Sequence, residues 1–452
     1  MDDAIQHHPS PEMDDQPSDT PPPSQSQPSF LAMPTTIEET GLSEGFLLDL
    51  LPKVLYTVGS LSGYQLGDRL KLAPTVVNIL LVNLKKEKLI MESPGAGSHP
   101  LEFINTLTSE GAQRVRESMG ASMYAGPCPV PLEVYSEAVK AQSIKGRMKL
   151  VDRARLEEGL AHLVVDDELI ERIGPAINSW RSLFIYGAAG GGKTVIARAI
   201  ADMLSEEYHV PHAIVVDGQV IKLFDPVNHV PLDPPGGGGA EAPSGDRSRD
   251  DPRWIRCLRP VVITGGELTL EMLDLAFNPL VKYYEAPLQL KANGGMFLVD
   301  DFGRQLVSPR DLLNRWIIPM EEQQDYLTLH TGQKFPVPFD ILTIFGTNIE
   351  PRELVDEAFL RRIPFKVEVK DPTPDQFHSI FDRVCEEREL EYDKDIVDGL
   401  LERFYRAQDK PLRACHPRDL VEIIVARAEF LKEPPRVNEQ TLAEAWQTYF
   451  VD

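Results

Sequence analysis

Between Ser182 and Leu204 a short apolar run, Ser182-Leu183-Phe184-Ile185-Tyr186, leads through Gly187-Ala188-Ala189-Gly190-Gly191-Gly192-Lys193-Thr194 into a helical pattern from Val195. A glycine, four residues and then Gly-Lys-Thr, with a strand before and a helix after, is the pattern of a phosphate-binding loop. Each residue type answers a chemical need. Glycines let consecutive backbone N–H groups wrap phosphate oxygens at a helix N-terminus, Lys193 reaches the β- and γ-phosphates, and Thr194 ligates Mg²⁺. The segment therefore demands a strand–loop–helix unit and binds Gly187, Ala188, Ala189, Gly190, Gly191, Gly192, Lys193 and Thr194 into one cofactor site.

About a hundred residues on, Gly295-Met296-Phe297-Leu298-Val299-Asp300-Asp301 reads as a buried strand ending in two carboxylates. It resembles a Walker B segment. In that role Asp300 holds Mg²⁺ and Asp301 orients or deprotonates the water that attacks the γ-phosphate, so the expected cofactors are ATP and Mg²⁺.

A chain of 452 residues exceeds one ordinary core and predicts two or three folded units. Residues 1–35 hold six acidic residues, no Lys or Arg, and a Pro/Ser/Gln run, which predicts a disordered tail. Gly126-Pro127, Pro129 and Pro131 mark residues 121–150 as a linker. Pro234-Pro235 and the four glycines that follow predict a flexible insertion over 232–252. The four cysteines are too scattered for a zinc or redox motif. There is no signal-like start and no apolar run long enough for a bilayer, so the expectation is a cytoplasmic protein without a membrane partner. The formal net charge of −24 repels nucleic acid unless basic residues cluster locally.

Residues 36–120 show helical spacing through Leu47, Leu48, Leu51, Val54 and Leu55, two shorter helices around the Leu72-Ala73-Pro74 turn, and two strand-like runs flanking Pro94–Ser98. This order resembles a winged-helix domain. Such a domain reads DNA when its second turn helix enters the major groove. Here eight Lys/Arg stand against ten Asp/Glu, and Thr75, Asn78 and Asn83 alternate with Val76, Ile79 and Val82. A module that docks protein fits this balance better than one that grips phosphate, with DNA contact as the alternative.

From about Asp152 onward the chain resembles an AAA+ ATPase. Ile341-Leu342-Thr343-Ile344-Phe345-Gly346-Thr347-Asn348 is similar to a sensor-1 strand, making Asn348 a candidate to place the lytic water. Ala358-Phe359-Leu360-Arg361-Arg362-Ile363-Pro364 resembles an arginine-finger segment, in which Arg361 or Arg362 serves a neighbouring subunit's ATP. Cys415-His416-Pro417-Arg418 resembles the sensor-2 start, with Arg418 as a γ-phosphate contact. Asp325–Phe339 reads as a hairpin before sensor 1, as in the clade of MoxR-type ATPases and bacterial enhancer-binding proteins; it either faces a client or is plain structure. The resemblance implies a P-loop NTPase fold of the α/β class: a three-layer parallel-sheet core over 151–370, a helical lid over 371–452, and a preceding winged helix. It also implies a homo-oligomer, ring or filament, acting on a protein client. One departure bears on rate: many relatives end the Walker B strand in Asp-Glu, whereas this chain has the shorter Asp301, which predicts slow turnover. A DNA-associated regulator and an ATP-gated scaffold with little turnover are the competing expectations; the Gly-Ala-Phe-Thr-Gly-Ala loop of enhancer-binding activators is absent.

Overall fold

The computed structural model describes residues 29–95, 97–145, 151–233 and 250–450. Five strands, β1 (Leu183–Tyr186), β2 (Val261–Thr264), β3 (Met296–Val299), β4 (Leu342–Thr347) and β5 (Phe365–Glu368), form one parallel sheet in the order β2-β3-β4-β1-β5. Every residue of β3 and β4 is buried, as expected for parallel strands covered on both faces. Alternate side chains feed two cores. Leu183, Ile185, Leu298 and Ile344 pack with the helices Asp167–Ser179 and Lys193–Met203. Phe184, Phe297, Val299 and Phe345 pack on the other face with Trp316 of the helix Pro309–Glu322. The three-layer α/β fold expected from the sequence is the one observed.

Because all five strands run the same way, the C-terminal ends of β1, β3 and β4 open on one edge, where ligands of such sheets bind. The segments Gly187–Thr194, Asp300-Asp301 and Asn348 follow those three ends. A C-terminal helical unit closes over this edge. Thr373 caps its first helix, Pro374–Glu387, in a reciprocal box with Gln376, and Pro374 stands at the first turn where its missing N–H costs nothing. Lys394–Leu400, His416–Leu431 and Glu439–Tyr449 complete it around Phe377, Phe381, Tyr405 and Trp446.

At the other end of the chain, the helices Glu44–Val58, Gly63–Leu70, Pro74–Lys86 and Ser109–Met119 pack with three short antiparallel strands, Leu61–Ser62, Ile90–Ser93 and Ile104–Leu107. Ser62 and Gln65 cap the second of these helices reciprocally.

The sequence contains no warning of a second five-stranded sheet. Val130–Pro131, Ala213–Val216, Gln219–Lys222, Tyr283–Glu285 and Ala276–Asn278 form it, the first paired in parallel with the second across some eighty residues. Residues 121–150, expected as a linker, thus supply a strand and the helix Leu132–Gln142, whose Tyr135, Ala138 and Val139 are buried in that sheet's core. The expected hairpin is present, Gln324–Thr328 against Lys334–Pro338, and its Leu327, Phe335 and Val337 are buried in the same core.

The disordered tail expected over 1–35 also needs correction at its end. Residues 1–28 lie outside the described residues. Ser29–Leu31, however, forms a helical turn, Leu31 is buried, Phe30 meets Trp254 edge-on, and Leu31 O accepts from Asp251 N. The acidic, proline-rich composition masked a local apolar run, Phe30-Leu31-Ala32-Met33, that has a partner only in the folded molecule. Leu31→Ala is expected to cost about 2–3 kcal/mol, read by thermal or urea unfolding; a change under about 0.5 kcal/mol would mean that the contact is incidental. Of the flexible insertion expected over 232–252, residues 234–249 lie outside the described residues. No helix among the described residues is long and apolar enough to cross a membrane.

Candidate nucleotide-binding and catalytic site

The loop after β1 is shaped by three glycines with left-handed backbone: Gly187 at φ 146°, Gly190 at φ 78° and Gly192 at φ 92°. At Gly187 a Cβ would fall 2.2 Å from Val369 O, and at Gly190 2.5 Å from Cys415 Sγ, so glycine is required by space as well as by torsion. The loop ends at the N-terminus of Lys193–Met203, where unpaired N–H groups and the helix dipole favour an anion.

Lys193 is buried, and its Nζ donates to Gly187 O at 3.1 Å, Ala188 O at 2.9 Å and Asn348 Oδ1 at 2.6 Å. Burial pulls its pKa below the usual lysine value, while Asp300 and Asp301 oppose that shift. Thr194 Oγ1 donates to Asp300 Oδ2 at 2.8 Å, which joins the P-loop to the end of β3. Asn348, at the end of β4, completes the circuit: its Nδ2 donates to Asp301 Oδ1 at 2.9 Å. Asp301 has a left-handed φ of 49°, an unfavourable conformation for a side-chain-bearing residue. Gln305 secures it by donating from Nε2 to Asp300 O at 2.8 Å and Asp301 O at 3.1 Å. The strained turn aims two adjacent carboxylates apart, one at Thr194 and one at Asn348.

Beside this cluster is a cavity of about 620 Å³ between the sheet edge and the helical unit. Its lining combines charged residues, among them Lys193, Asp300, Asp301, Arg304 and Arg418, with the apolar Leu163, Val165, Ile380 and Val384. A lining that offers both charged and apolar groups suits a molecule with a polyphosphate and a flat base. For Mg²⁺ the donor set also fits: Thr194 hydroxyl and Asp300 carboxylate are hard oxygen ligands, and this ion takes its remaining positions from phosphate and water.

Arg418 lines the cavity and stands 4.0 Å from Glu387, so the structure brings it to the site. Arg361 and Arg362 are elsewhere. They precede β5, at the sheet end opposite the P-loop, and line a separate cavity in which Arg362 Nε donates to Glu321 at 2.6 Å. Sequence reasoning missed Arg304, Gln305, Arg383 and the Leu163–Val165 segment. None carries a spacing signal: Arg304, Arg383 and Leu163–Val165 reach the cavity from three separate segments, and Gln305 acts through the backbone of Asp300 and Asp301. It missed, too, the bond from Cys415 N to Gly190 O at 3.0 Å, which couples the helical unit to the P-loop.

On the helix Pro74–Lys86, three polar side chains are occupied internally, while Asn78 and Lys86 have no side-chain partner among the described residues. Thr75 Oγ1 donates to Thr35 O at 2.9 Å, Asn83 to Glu44, and Lys85 to Glu92, while Ile79 and Val82 are exposed.

A family model described as a domain of unknown function, DUF8689, matches residues 373–448, the C-terminal helical unit. No curated protein matches the sequence. Similar solved structures include NtrX from Brucella abortus, 16% identical with a TM-score of 0.38 over 64% of this chain and 56% of that one. The chain therefore spans little more than half of that protein. RuvB from Thermotoga maritima, the Holliday junction branch migration motor, is 12% identical with a TM-score of 0.35, over 69% of this chain and 74% of its own. A complex of the BchI and BchD subunits of magnesium chelatase gives 17%, a TM-score of 0.32, and coverage of 64% and 92%.

Proposed function

We propose that this chain is an AAA+ ATPase that binds ATP with Mg²⁺, hydrolyses it slowly in a cytoplasmic homo-oligomer, and couples the cycle to a protein client. The observation that carries this is the closed circuit Thr194–Asp300–Asp301–Asn348–Lys193 at the edge of a parallel sheet, facing a cavity of about 620 Å³. Each member has a task in phosphoryl transfer. Backbone N–H groups of the loop and Lys193 hold the phosphates, and Thr194 and Asp300 would hold the metal. When bound, the ion neutralises charge between the phosphate oxygens. Asp301 accepts a hydrogen bond from the attacking water and takes its proton, and Asn348 positions Asp301 and that water. Arg418 contacts the γ-phosphate from the helical unit.

The reading as an oligomer is supported by the position of Arg361 and Arg362. At the opposite end of β5 from their own P-loop, they serve an active site only if a second copy supplies it, with the charge stabilisation that a finger provides. We read the N-terminal unit as a winged helix that docks protein. The internal commitment of Thr75, Asn83 and Lys85 leaves Asn78, Lys86 and Lys88 as the groups for phosphate, and the exposed Ile79 and Val82 suit an apolar contact.

The test is steady-state ATP hydrolysis against protein concentration for the wild type and for Arg361→Ala/Arg362→Ala. Specific activity should rise with concentration, and the double variant should lose turnover while its ATP affinity stays within about threefold. ATP binding without turnover in the wild type at any concentration would replace the enzyme with an ATP-gated scaffold.

A further inference from the structure

The cavity that Arg361 and Arg362 share, about 250 Å³, has a third arginine in its wall, Arg181, alongside Trp180, Glu321 and Gln323. The sheet explains why they meet. β1 and β5 pair in parallel with Leu183 beside Phe365, so the residues just upstream of both strands emerge at the same end. Arg181 precedes β1 as Arg361 and Arg362 precede β5.

Charge at this point runs against that of the whole chain. The protein has 70 acidic and 46 basic residues, yet here three guanidinium groups face one carboxylate, Glu321. That carboxylate is already held by Arg362, which also donates to Ala358 O. Among the described residues, the guanidinium groups of Arg181 and Arg361 have no hydrogen bond or ion pair. Arg181 is exposed between buried neighbours: Trp180, at φ 51°, caps the helix Asp167–Ser179 and is buried, as are Ser182 and Leu183. With its backbone anchored between buried residues, the uncommitted planar fork of Arg181 is available to take a phosphate bidentately.

We propose that Arg181 acts with Arg361 and Arg362 as a phosphate-facing arginine presented to the nucleotide of a neighbouring copy. The inference rests on the shared-site function above and extends it by a residue from a different segment. The ligand is the terminal phosphate of a nucleoside triphosphate held in the partner's P-loop; an acidic segment of a client protein is the competing occupant.

The experiment is subunit mixing with full-length chains, reading ATP turnover. Arg181→Gln alone should fall at least about tenfold in kcat, with KM changed by less than about threefold. Mixed with Lys193→Ala, which carries an intact Arg181 but no working P-loop, it should regain activity. Arg361→Ala/Arg362→Ala should behave the same way in a parallel mixture. Wild-type turnover in Arg181→Gln overturns the proposal and would leave an acidic client as the occupant. If the Arg361/Arg362 pair is rescued and Arg181→Gln is not, Arg181 acts within its own chain and the proposal falls while the shared site stands. Failure of both mixtures removes the shared site itself. Should Arg181→Gln not fold, Arg181→Lys, which keeps the charge and loses the fork, answers the same question.

Discussion

Lys193→Ala is expected to lower ATP turnover by about 10³-fold, because it removes a pre-positioned cation from where charge accumulates during phosphoryl transfer. The side chain is already in place. It is 7% exposed and held at three oxygens, two from its own loop and one from Asn348. Charge on a buried ammonium is costly, and the lowered pKa of Lys193 records that cost, which a triphosphate relieves on binding. Lys193→Arg should not restore the rate, since a planar fork does not fit a site built for a point charge among loop carbonyls. The measurement is single-turnover hydrolysis at saturating ATP, with affinity taken separately. Turnover in Lys193→Ala within about tenfold of wild type would contradict the assigned role.

The second large effect concerns the joint between the N-terminal unit and the second sheet. Arg253 and Asp251 are 3% and 2% exposed, and Arg253 Nη2 donates to Asp251 Oδ2 at 2.8 Å. Arg253 Nη1 reaches Thr40 O at 2.9 Å and Pro129 O at 3.4 Å, and Asp251 N donates to Leu31 O at 2.8 Å. Arg253 and Asp251 together thus tie Leu31 and Thr40 of the N-terminal segment to Pro129 at the start of the second sheet. Arg253→Leu leaves a buried carboxylate without its cation and two carbonyls without a donor, so a loss of about 3–5 kcal/mol is expected. Arg253→Leu/Asp251→Leu should cost less than the single change, because no unpaired charge remains. Thermal unfolding should show an early transition in Arg253→Leu, with ATP binding retained because the P-loop sheet has its own two cores. A shift no larger than that of an exposed substitution would show that the joint is held by its apolar packing and its other hydrogen bonds, such as Cys128 N to Leu70 O.

How much of this was legible beforehand varied with the range of the interactions. The P-loop was readable because strand, loop and helix are contiguous, and each residue type has a local reason. Asp300, Asp301 and Asn348 were readable because each ends an apolar run, and parallel strands bring such ends to one edge. Arg418 was named on resemblance and stands at the cavity. Arg361 and Arg362 were named on resemblance as serving a neighbouring subunit's ATP, and the register of β5 on β1 puts them at the sheet end away from their own loop.

Elsewhere the pattern was insufficient. Val130-Pro131 is two residues long and carries no periodicity, yet it pairs with Ile214-Val215 in the second sheet. Prolines nearby spelled a linker, although proline is at home at the edge position that this strand occupies. Phe30 and Leu31 sat inside a stretch judged by average composition, and averages do not report a short anchor.

Residue order alone determined the chemistry of the phosphate loop, the carboxylate pair and the alternation that feeds two cores, since those depend on neighbours within a few residues. Tertiary structure alone decided which distant segments share a sheet, which arginines line a common cavity, and which buried arginine reaches the carbonyls of the N-terminal segment. A hydrophobic or charged side chain declares that it needs a partner, but the partner's identity is set by chain closure over tens to hundreds of residues, and no local pattern encodes it.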